Sequence, residues 1–221
     1  MLTEMQKKLA AIDHFVKYPA MIPFIGEYYQ SPKHKKLLLI GESFYLPNET
    51  TVHHSPEMWY KSDQSCLSKD EIEWINCNSL LTGPWDPTKG HKMYINLDNA
   101  IKSLEVETEK RAIDEIAFVN YFQRPAVGAG NSFKNCCEPK DKNISFDVMK
   151  QIITILDPDV IIIVSKYSWD AGGKQLKVIF PNKNIDFTCH PVSSNKNWWD
   201  NKSYPHGKEK FIKLLKENFI L

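Results

Sequence analysis

Four clusters of polar residues each follow a short apolar run of the chain, and their side-chain types could support chemistry. The clusters are Glu42-Ser43-Tyr45, Asn120 with Arg124, Ser165-Lys166, and His190 with Ser193 and Ser194. A carboxylate or hydroxyl can position a water molecule, an asparagine amide can bind a donor and an acceptor together, and histidine can stabilise developing negative charge. The alternative for each cluster is structural, as a helix cap, a turn residue or a satisfied buried polar group. Their combination indicates a hydrolytic or ligand-binding site.

Aromatic residues beside the first cluster add a second kind of contact. Phe44, Tyr45 and Trp59 could each stack on a flat heterocycle. No other chemistry has a supporting motif. The histidines lack metal-ligand spacing, the serines lack a GxSxG elbow, and the glycine-bearing loop 126–132 lacks the lysine of a nucleotide P-loop. We therefore expect no metal and no cofactor.

The clusters can converge only if the runs before them are strands of one sheet. The first run, Leu37 to Ile40, ends at Gly41, which lets the backbone leave the strand tightly; a helical segment remains the alternative for this leucine-rich run. Three further strands are predicted from about Ile116 to Asn120, from Asp159 to Ser165 and from Asn184 to Cys189. The carboxyl ends of parallel strands share one edge of a sheet, where α/β proteins bind ligands.

Helices are predicted between these strands. Ser55-Pro56-Glu57 is a helix-start signal, with serine as the N-cap and proline in the first turn. The predicted helices are Thr3–Tyr18, Lys69–Leu81, His91–Val106, Ser145–Leu156, Tyr167–Ile179 and His206–Phe219. Alternating strands and helices predict an α/β fold, a three-layer α/β/α sandwich around a four-stranded parallel sheet. We expect one domain over residues 1–221, with an N-terminal helical extension (1–35) and a helical insertion (48–110).

Composition excludes several classes of protein. The 221 residues are 42% hydrophobic and 25% charged, as in ordinary globular proteins, and no apolar run is long enough to span a membrane. The N-terminus has no apolar core typical of a secretory signal, so we expect a cytoplasmic protein. We also expect a monomer. Five cysteines without a CxxC motif predict reduced thiols rather than a metal or redox site.

Charge is informative only locally. The formal net charge of +1 gives no general signal for nucleic-acid binding. Residues Ser193 to Lys216, however, contain six lysines with Trp198, Trp199 and Tyr204 among them. This pattern fits either a phosphate-facing surface with stacking aromatics or a solvated helix face beside a tryptophan-anchored loop.

Taken in order, four motifs resemble those of the uracil-DNA glycosylase superfamily. They are Gly41-Glu42-Ser43-Phe44-Tyr45, the segment Phe118 to Pro125 with its Asn120 and Arg124-Pro125, the segment Leu156 to Val164, and His190-Pro191-Val192-Ser193. The resemblance covers about Lys36 to Phe219. The sequence departs from the superfamily in having Ser43 where the most active branch keeps an aspartate, and Phe44 where the motif has a proline. It also lacks the N-terminal cysteine pair of the iron–sulfur branch.

This resemblance implies hydrolysis of the N-glycosidic bond of a base flipped out of DNA. The resemblance also implies a role for each matching residue. Glu42 or Ser43 would orient the attacking water, Asn120 would bind the base edge with Phe44 and Tyr45 nearby, and His190 would stabilise charge on the departing base. Ser193, Ser194, Lys196, Arg124 and Lys166 would contact the nucleic-acid backbone. The alternative is a divergent module that binds a nucleotide or nucleic acid in the same crevice without catalysis.

Overall fold

The computed structural model describes residues 3–86, 91–104, 111–128, 130–192 and 206–221. The five strands are β1 (Phe24–Ile25), β2 (Leu37–Gly41), β3 (Ala117–Asn120), β4 (Val160–Ile163) and β5 (Asn184–Phe187). The helices are α1 (Glu4–Ala10), α2 (Asp13–Lys17), α3 (Pro56–Lys61), α4 (Lys69–Ile75), α5 (Cys77–Thr82), α6 (Lys92–Lys102), α7 (Pro139–Leu156), α8 (Lys166–Ser168), α9 (Lys174–Ile179) and α10 (Gly207–Asn218). From β2 onward, one or more helices separate each pair of successive strands, and the predicted α/β class is confirmed.

The chain divides into two compact units, each built from three separated stretches of sequence. The first unit contains Met1–Pro23, Glu42–Leu80 and Val119–Asp157. The second contains Phe24–Gly41, Leu81–Phe118 and Pro158–Leu221. Both the expected N-terminal extension and the expected insertion contribute residues to each unit.

The sheet has five strands in the order β1-β3-β2-β4-β5. β2 pairs in parallel with β4, with Leu38 opposite Ile161, and β4 pairs in parallel with β5. Every residue of β2 and β4 is buried, as their unbroken apolar sequences predict. The four predicted strands are therefore present.

The prediction of a four-stranded, wholly parallel sheet is wrong. β1 is a fifth strand, and it pairs antiparallel with β3, with Phe24 opposite Phe118. It holds two residues between Pro23 and Gly26, too few to give a periodic signal in the sequence. Gly26 continues the pairing by donating its N–H to the Ile116 carbonyl at 2.8 Å. A Cβ there would lie 2.1 Å from the Asp114 carbonyl oxygen, so only glycine fits this close approach.

Helix-start signals in the first unit are confirmed. Thr3 caps α1 in a reciprocal capping box with Gln6, and Ser55 caps α3, whose first residue is Pro56. α7, in contrast, begins six residues before the predicted start at Ser145. Its first turns are polar and carry no apolar periodicity, so the pattern missed a beginning that is set by Pro139 and the preceding Glu138 cap.

A helix predicted across Tyr167 to Ile179 is present in the second unit, but it is not uniform. α8 leads through a π-helical turn at Trp169–Gly173 into α9. A Cβ on Gly173 would lie 2.5 Å from the Ile163 side chain, so glycine lets this turn pack against β4. Across the described ranges, no helix combines the length and the apolar character that a membrane span requires.

Candidate functional site

The segments that follow β2 and β3 run side by side in the first unit. The Phe122 N–H donates to the Glu42 carbonyl at 2.9 Å, and the Ala126 N–H donates to the Phe44 carbonyl at 2.8 Å. The two acceptors, Glu42 and Phe44, are two residues apart, whereas the two donors, Phe122 and Ala126, are four residues apart. Residues 123–125 therefore loop out between the two hydrogen bonds. This arrangement brings the motif that begins at Glu42 beside the end of β3, as the sequence predicted for neighbouring strand ends.

The Glu42 carboxylate is anchored by donors from a distant part of the chain. Its Oε1 accepts hydrogen bonds from the Ser132 hydroxyl at 2.7 Å and from the Phe133 backbone N–H at 2.8 Å. Ser132 caps the 3₁₀ turn Phe133–Asn135, and the Glu42 side chain is partly exposed. The carboxylate is therefore held in one orientation while part of it still faces solvent.

Ser43 and Tyr45 follow Glu42 along the chain. The Ser43 hydroxyl is buried and has no hydrogen-bond partner among the residues that the structure describes. Tyr45 is half-buried, and burial together with the neighbouring Glu42 carboxylate raises the pKa of its phenol. Both hydroxyls therefore stay protonated at neutral pH and can donate.

Asn120 ends β3, two residues before the Phe122 that bonds to Glu42. Its exposure is only 3%, and its backbone carbonyl accepts a bond from Gln123 Nε2 at 2.8 Å. Within the described ranges, its side-chain amide forms no hydrogen bond. The Asn120 amide is not one of the fully buried polar groups that lack a partner, so it keeps the access through which it can bond to a ligand or a water molecule.

Gln123 supports the end of β3 from the looped segment. Its Nε2 also donates to the Tyr121 carbonyl at 3.1 Å, its backbone N–H donates to the Ser145 hydroxyl at 3.1 Å, and its carbonyl accepts from the Trp59 indole at 2.7 Å. The Gln123 Oε1 is buried without a partner in the described part of the chain. Trp59 is itself completely buried, so it is a structural support and not a surface for stacking a base.

Arg124 lies at the centre of a buried polar network. Its guanidinium donates to both Asp141 oxygens, at 2.9 Å from Nε and 2.7 Å from Nη2. It also donates to the carbonyls of His53 and Cys136, each at 2.6 Å. The Asp141 carboxylate further accepts from the Tyr60 hydroxyl at 2.9 Å. Both members of the ion pair have fully buried side chains.

Two predicted ligand contacts need correction because of this packing. Arg124 has no exposed guanidinium with which to contact a phosphate, since its side chain is fully buried and each of its three nitrogens donates to a protein acceptor. Phe44 is 3% exposed and belongs to the hydrophobic core, so its ring does not offer a face to a base. In both cases the residue type suggested a contact that burial prevents.

The other described candidates belong to the second unit. Lys166 begins α8, forms an ion pair with Asp170 and lies over the Phe187 ring at 5.8 Å. His190 is partly exposed, and its Nδ1 lies 3.2 Å from the Val192 N–H. The loop that contains it is fixed by the buried Asn96, whose amide donates to the Pro191 carbonyl at 2.9 Å.

The structure thus brings Glu42, Ser43, Tyr45 and Asn120 together in the first unit, whereas Lys166 and His190 lie in the second. Three predicted backbone contacts lie outside the described residues: Ser193, Ser194 and Lys196.

Sequence reasoning missed the residues that hold the site. Ser132 ends, and Phe133 follows, the segment 126–132 that was predicted only as a glycine-bearing loop; Gly128 and Gly130 do have positive φ. The serine before a short turn was a readable capping signal. Nothing in the sequence indicated that its hydroxyl would meet a carboxylate 90 residues away.

A separate cavity of about 670 Å³ lies in the second unit. Phe24 and Ile25 of β1 line it together with Arg111 and Asp114. Arg111 and Asp114 are paired with each other at 2.8 Å, and the described lining includes none of the predicted site residues. Within the described ranges, no group of three or more histidine, cysteine, aspartate or glutamate side chains is arranged to hold a metal ion.

Comparison with known proteins does not assign the chain to a family. No protein-family model matches the sequence, and a search of curated proteins finds no significant match.

Proposed function

We propose that the protein hydrolyses the N-glycosidic bond of a deaminated base, such as uracil, in DNA, with the base bound at the Glu42–Asn120 site. The observation that carries this proposal is Asn120, a residue only 3% exposed whose side-chain amide forms no hydrogen bond with another described residue and keeps some access. It ends the strand next to the one that leads into the anchored Glu42 carboxylate. The resemblance of the sequence motifs to the uracil-DNA glycosylase superfamily gives the reaction class.

An asparagine amide offers one donor and one acceptor side by side. Uracil, hypoxanthine and xanthine each present an adjacent C=O and ring N–H, which are complementary to that pair. A buried amide that would otherwise be unbonded gains more from such a partner than an exposed one. Asn120 thus accounts for base binding in the proposed reaction.

Glu42 accounts for the chemistry. In the proposed step, a water oxygen forms a bond to C1′ of the sugar, the C1′–N bond breaks, and its electron pair leaves with the base. The Glu42 carboxylate accepts the proton from the water, and the departing base takes a proton from solvent, so the step is redox-neutral. The two hydrogen bonds to Oε1 hold the carboxylate in the orientation that this general-base role requires.

The test is a strand-cleavage assay with labelled oligonucleotides that carry uracil, hypoxanthine or xanthine, followed by hot alkali. We expect alkali-labile product with at least one of these bases. Glu42→Gln should lower the rate about 100-fold or more, the usual contribution of a general base. Asn120→Ala should lower the rate and also raise KM, because it removes the proposed contact with the base.

Glu49→Gln is the matched control, since Glu49 is an exposed carboxylate on the same segment as Glu42. It should leave the rate unchanged. His190→Ala, measured in the same assay, tests whether this histidine of the second unit contributes to the rate. If the wild-type protein gives no product with any of the three bases at enzyme excess, the hydrolase proposal is refuted.

Ser43 favours a second candidate function, a binding module without turnover. Serine replaces the aspartate that the most active branch of the resembled superfamily keeps, so only one carboxylate remains in this motif. The buried Ser43 hydroxyl, unpartnered in the described part of the chain, can donate to a ligand but is a poor base. Equilibrium binding of a base-containing oligonucleotide that Asn120→Ala abolishes, without alkali-labile product, would support this candidate.

A further inference from the structure

We propose that Arg124 is a positioning residue for Glu42, acting through the turn that donates hydrogen bonds to the carboxylate. This inference rests on the proposed function for its catalytic consequence. Its structural basis is the chain of contacts that runs from Asp141 through Arg124 and the turn to Glu42. Within the described residues, Arg124 forms no hydrogen bond with the Glu42 carboxylate.

The first link is between Arg124 and the turn 132–136. The guanidinium carbon lies 5.1 Å from the centroid of the Phe133 ring, at one end of this turn. Nη2 donates to the Cys136 carbonyl at 2.6 Å, at the other end. The Phe133 ring also stacks on Phe122 at 4.2 Å, so the turn is held between Arg124 and the segment that follows β3.

The second link is between the turn and Glu42. Both donors that fix Oε1, the Ser132 hydroxyl and the Phe133 N–H, belong to this turn. The turn is closed internally by the Cys136 N–H, which donates to the Phe133 carbonyl at 3.0 Å. A shift at Cys136 is therefore transmitted to Phe133 and changes the direction of both donors.

The third link fixes Arg124 itself. Asp141 lies in the first turn of α7 and binds two nitrogens of the guanidinium. Its carboxylate is held in turn by the Tyr60 hydroxyl and by the Glu138 N–H, each at 2.9 Å. The first turn of α7 therefore fixes the orientation of the Arg124 guanidinium through Asp141.

Arginine is needed here because three acceptors in different directions must be bonded at once. The planar guanidinium reaches Asp141 from Nε and Nη2, the Cys136 carbonyl from Nη2 and the His53 carbonyl from Nη1. A lysine ammonium is a single point on a flexible stem and cannot reproduce this geometry. Arg124→Lys is therefore the informative variant, since it keeps the positive charge beside Asp141 while releasing the turn.

The experiment measures hydrogen exchange of the Phe133 backbone amide by NMR, which does not depend on any activity. We expect this amide to exchange about tenfold faster in Arg124→Lys than in the wild type, the change that the loss of about one hydrogen bond produces. The amides of Ile161 and Ile162, in the buried strand β4, should keep their wild-type rates, which separates the local effect from general destabilisation.

Arg111→Lys is the matched control, because Arg111 also pairs with an aspartate and lies over an aromatic ring, but in the second unit. It should leave the Phe133 amide unchanged. If Arg124→Lys fails to fold, Asp141→Asn tests the same chain of contacts with a shape-preserving change. Wild-type exchange at Phe133 in a folded Arg124→Lys or Asp141→Asn protein overturns the inference.

Steady-state kinetics of the same variant test whether Arg124 affects the proposed reaction through Glu42. If the wild type is active, Arg124→Lys should lower kcat about tenfold with little change in KM, and it should have no further effect in a Glu42→Gln background. An equal loss in both backgrounds would show that Arg124 does not act through Glu42. An inactive wild type refutes the proposed function but leaves the exchange result intact.

Discussion

The protein has only two arginines among its 28 basic residues, and they form ion pairs of the same chemical type in different surroundings. Arg124 and Arg111 each donate two N–H groups to one aspartate and each lie about 5 Å from an aromatic ring. The side chains of the Arg124–Asp141 pair are 0% exposed, whereas those of the Arg111–Asp114 pair are 33% and 13% exposed. The difference lies in burial and in what each pair connects.

Arg111 and Asp114 are three residues apart, so their pair stabilises only a local turn. Arg124 and Asp141 are 17 residues apart, and the same guanidinium also bonds to the segment that contains His53. The buried pair therefore ties together three stretches of chain, one of which follows Asn120. The comparison indicates that an arginine's function depends more on its acceptors than on the charge it carries.

The largest expected effect comes from removing one member of the buried pair. Arg124→Met should lower the free energy of unfolding by about 3–5 kcal/mol, because Asp141 is left buried without a counter-charge. Arg111→Met should cost about 1 kcal/mol or less, since solvent screens that pair. Chemical denaturation of both variants measures the difference, and similar losses in the two would show that burial does not separate the pairs.

Acid should destabilise the first unit through its buried histidines. Burial, with a smaller contribution from Lys17, lowers the pKa of His14 to about 3. Burial, His54 and Arg124 lower the pKa of His53 to about 4. Both imidazoles are neutral in the folded protein but take up protons in the unfolded chain below about pH 6.5, so the stability present above that pH is lost as the pH falls.

At pH 5 we expect each of these histidines to have reduced the free energy of unfolding by roughly 2 kcal/mol relative to pH 7.5. Denaturation curves from pH 7.5 to 4.5 test this expectation. His14→Phe should flatten the acid limb, because it removes one of the two proton-binding groups from the unfolded chain. An acid limb that is equally steep in this variant would exclude His14 as a cause.

A smaller effect is expected from the second donor to Asp141. Tyr60→Phe removes the hydroxyl that donates to this carboxylate but keeps the buried ring. A hydrogen bond to a charged acceptor contributes about 1.5–3 kcal/mol, and Arg124 still compensates the charge, so we expect a loss near 2 kcal/mol. Thermal unfolding of Tyr60→Phe beside Arg124→Met would rank the two donors, and a larger loss for Tyr60→Phe would contradict this order.

The smallest effect is expected at the exposed pair. Arg111→Lys keeps the charge and should lower the free energy of unfolding by only about 0.5 kcal/mol, because it removes a partly exposed two-pronged hydrogen bond. Salt should leave the effect of Arg124→Met unchanged, because that pair has no solvent around it. A salt-dependent Arg124→Met effect would show that water reaches the buried pair.

Local patterns predicted much of the fold. The β-branched run before Val164 gave β4, and Thr3 and Ser55 marked the starts of two helices. These features are encoded within a few residues, so a pattern can reveal them. β1 was missed because its two residues become a strand only through their pairing with β3.

The candidate site was predictable only in part, for the same physical reason. Glu42 and Asn120 follow directly from the ends of two strands, and the structure places them on neighbouring segments. The resemblance implied a contact between Arg124 and the nucleic-acid backbone, and the sequence could not correct it because an exposed arginine and a buried one look alike there. The buried partner of Arg124, Asp141, lies in the polar first turn of α7, which the sequence pattern did not predict as helix.

The shortness of β1 has a consequence for how the chain behaves at high concentration. β1 lies at one edge of the sheet and offers only two residues, enclosed by Pro23 and Gly26. A strand from a second molecule would find too few consecutive N–H and C=O groups there to form a ladder, and the missing N–H of Pro23 ends any extension. This edge of the sheet is therefore protected against edge-to-edge aggregation by its own brevity.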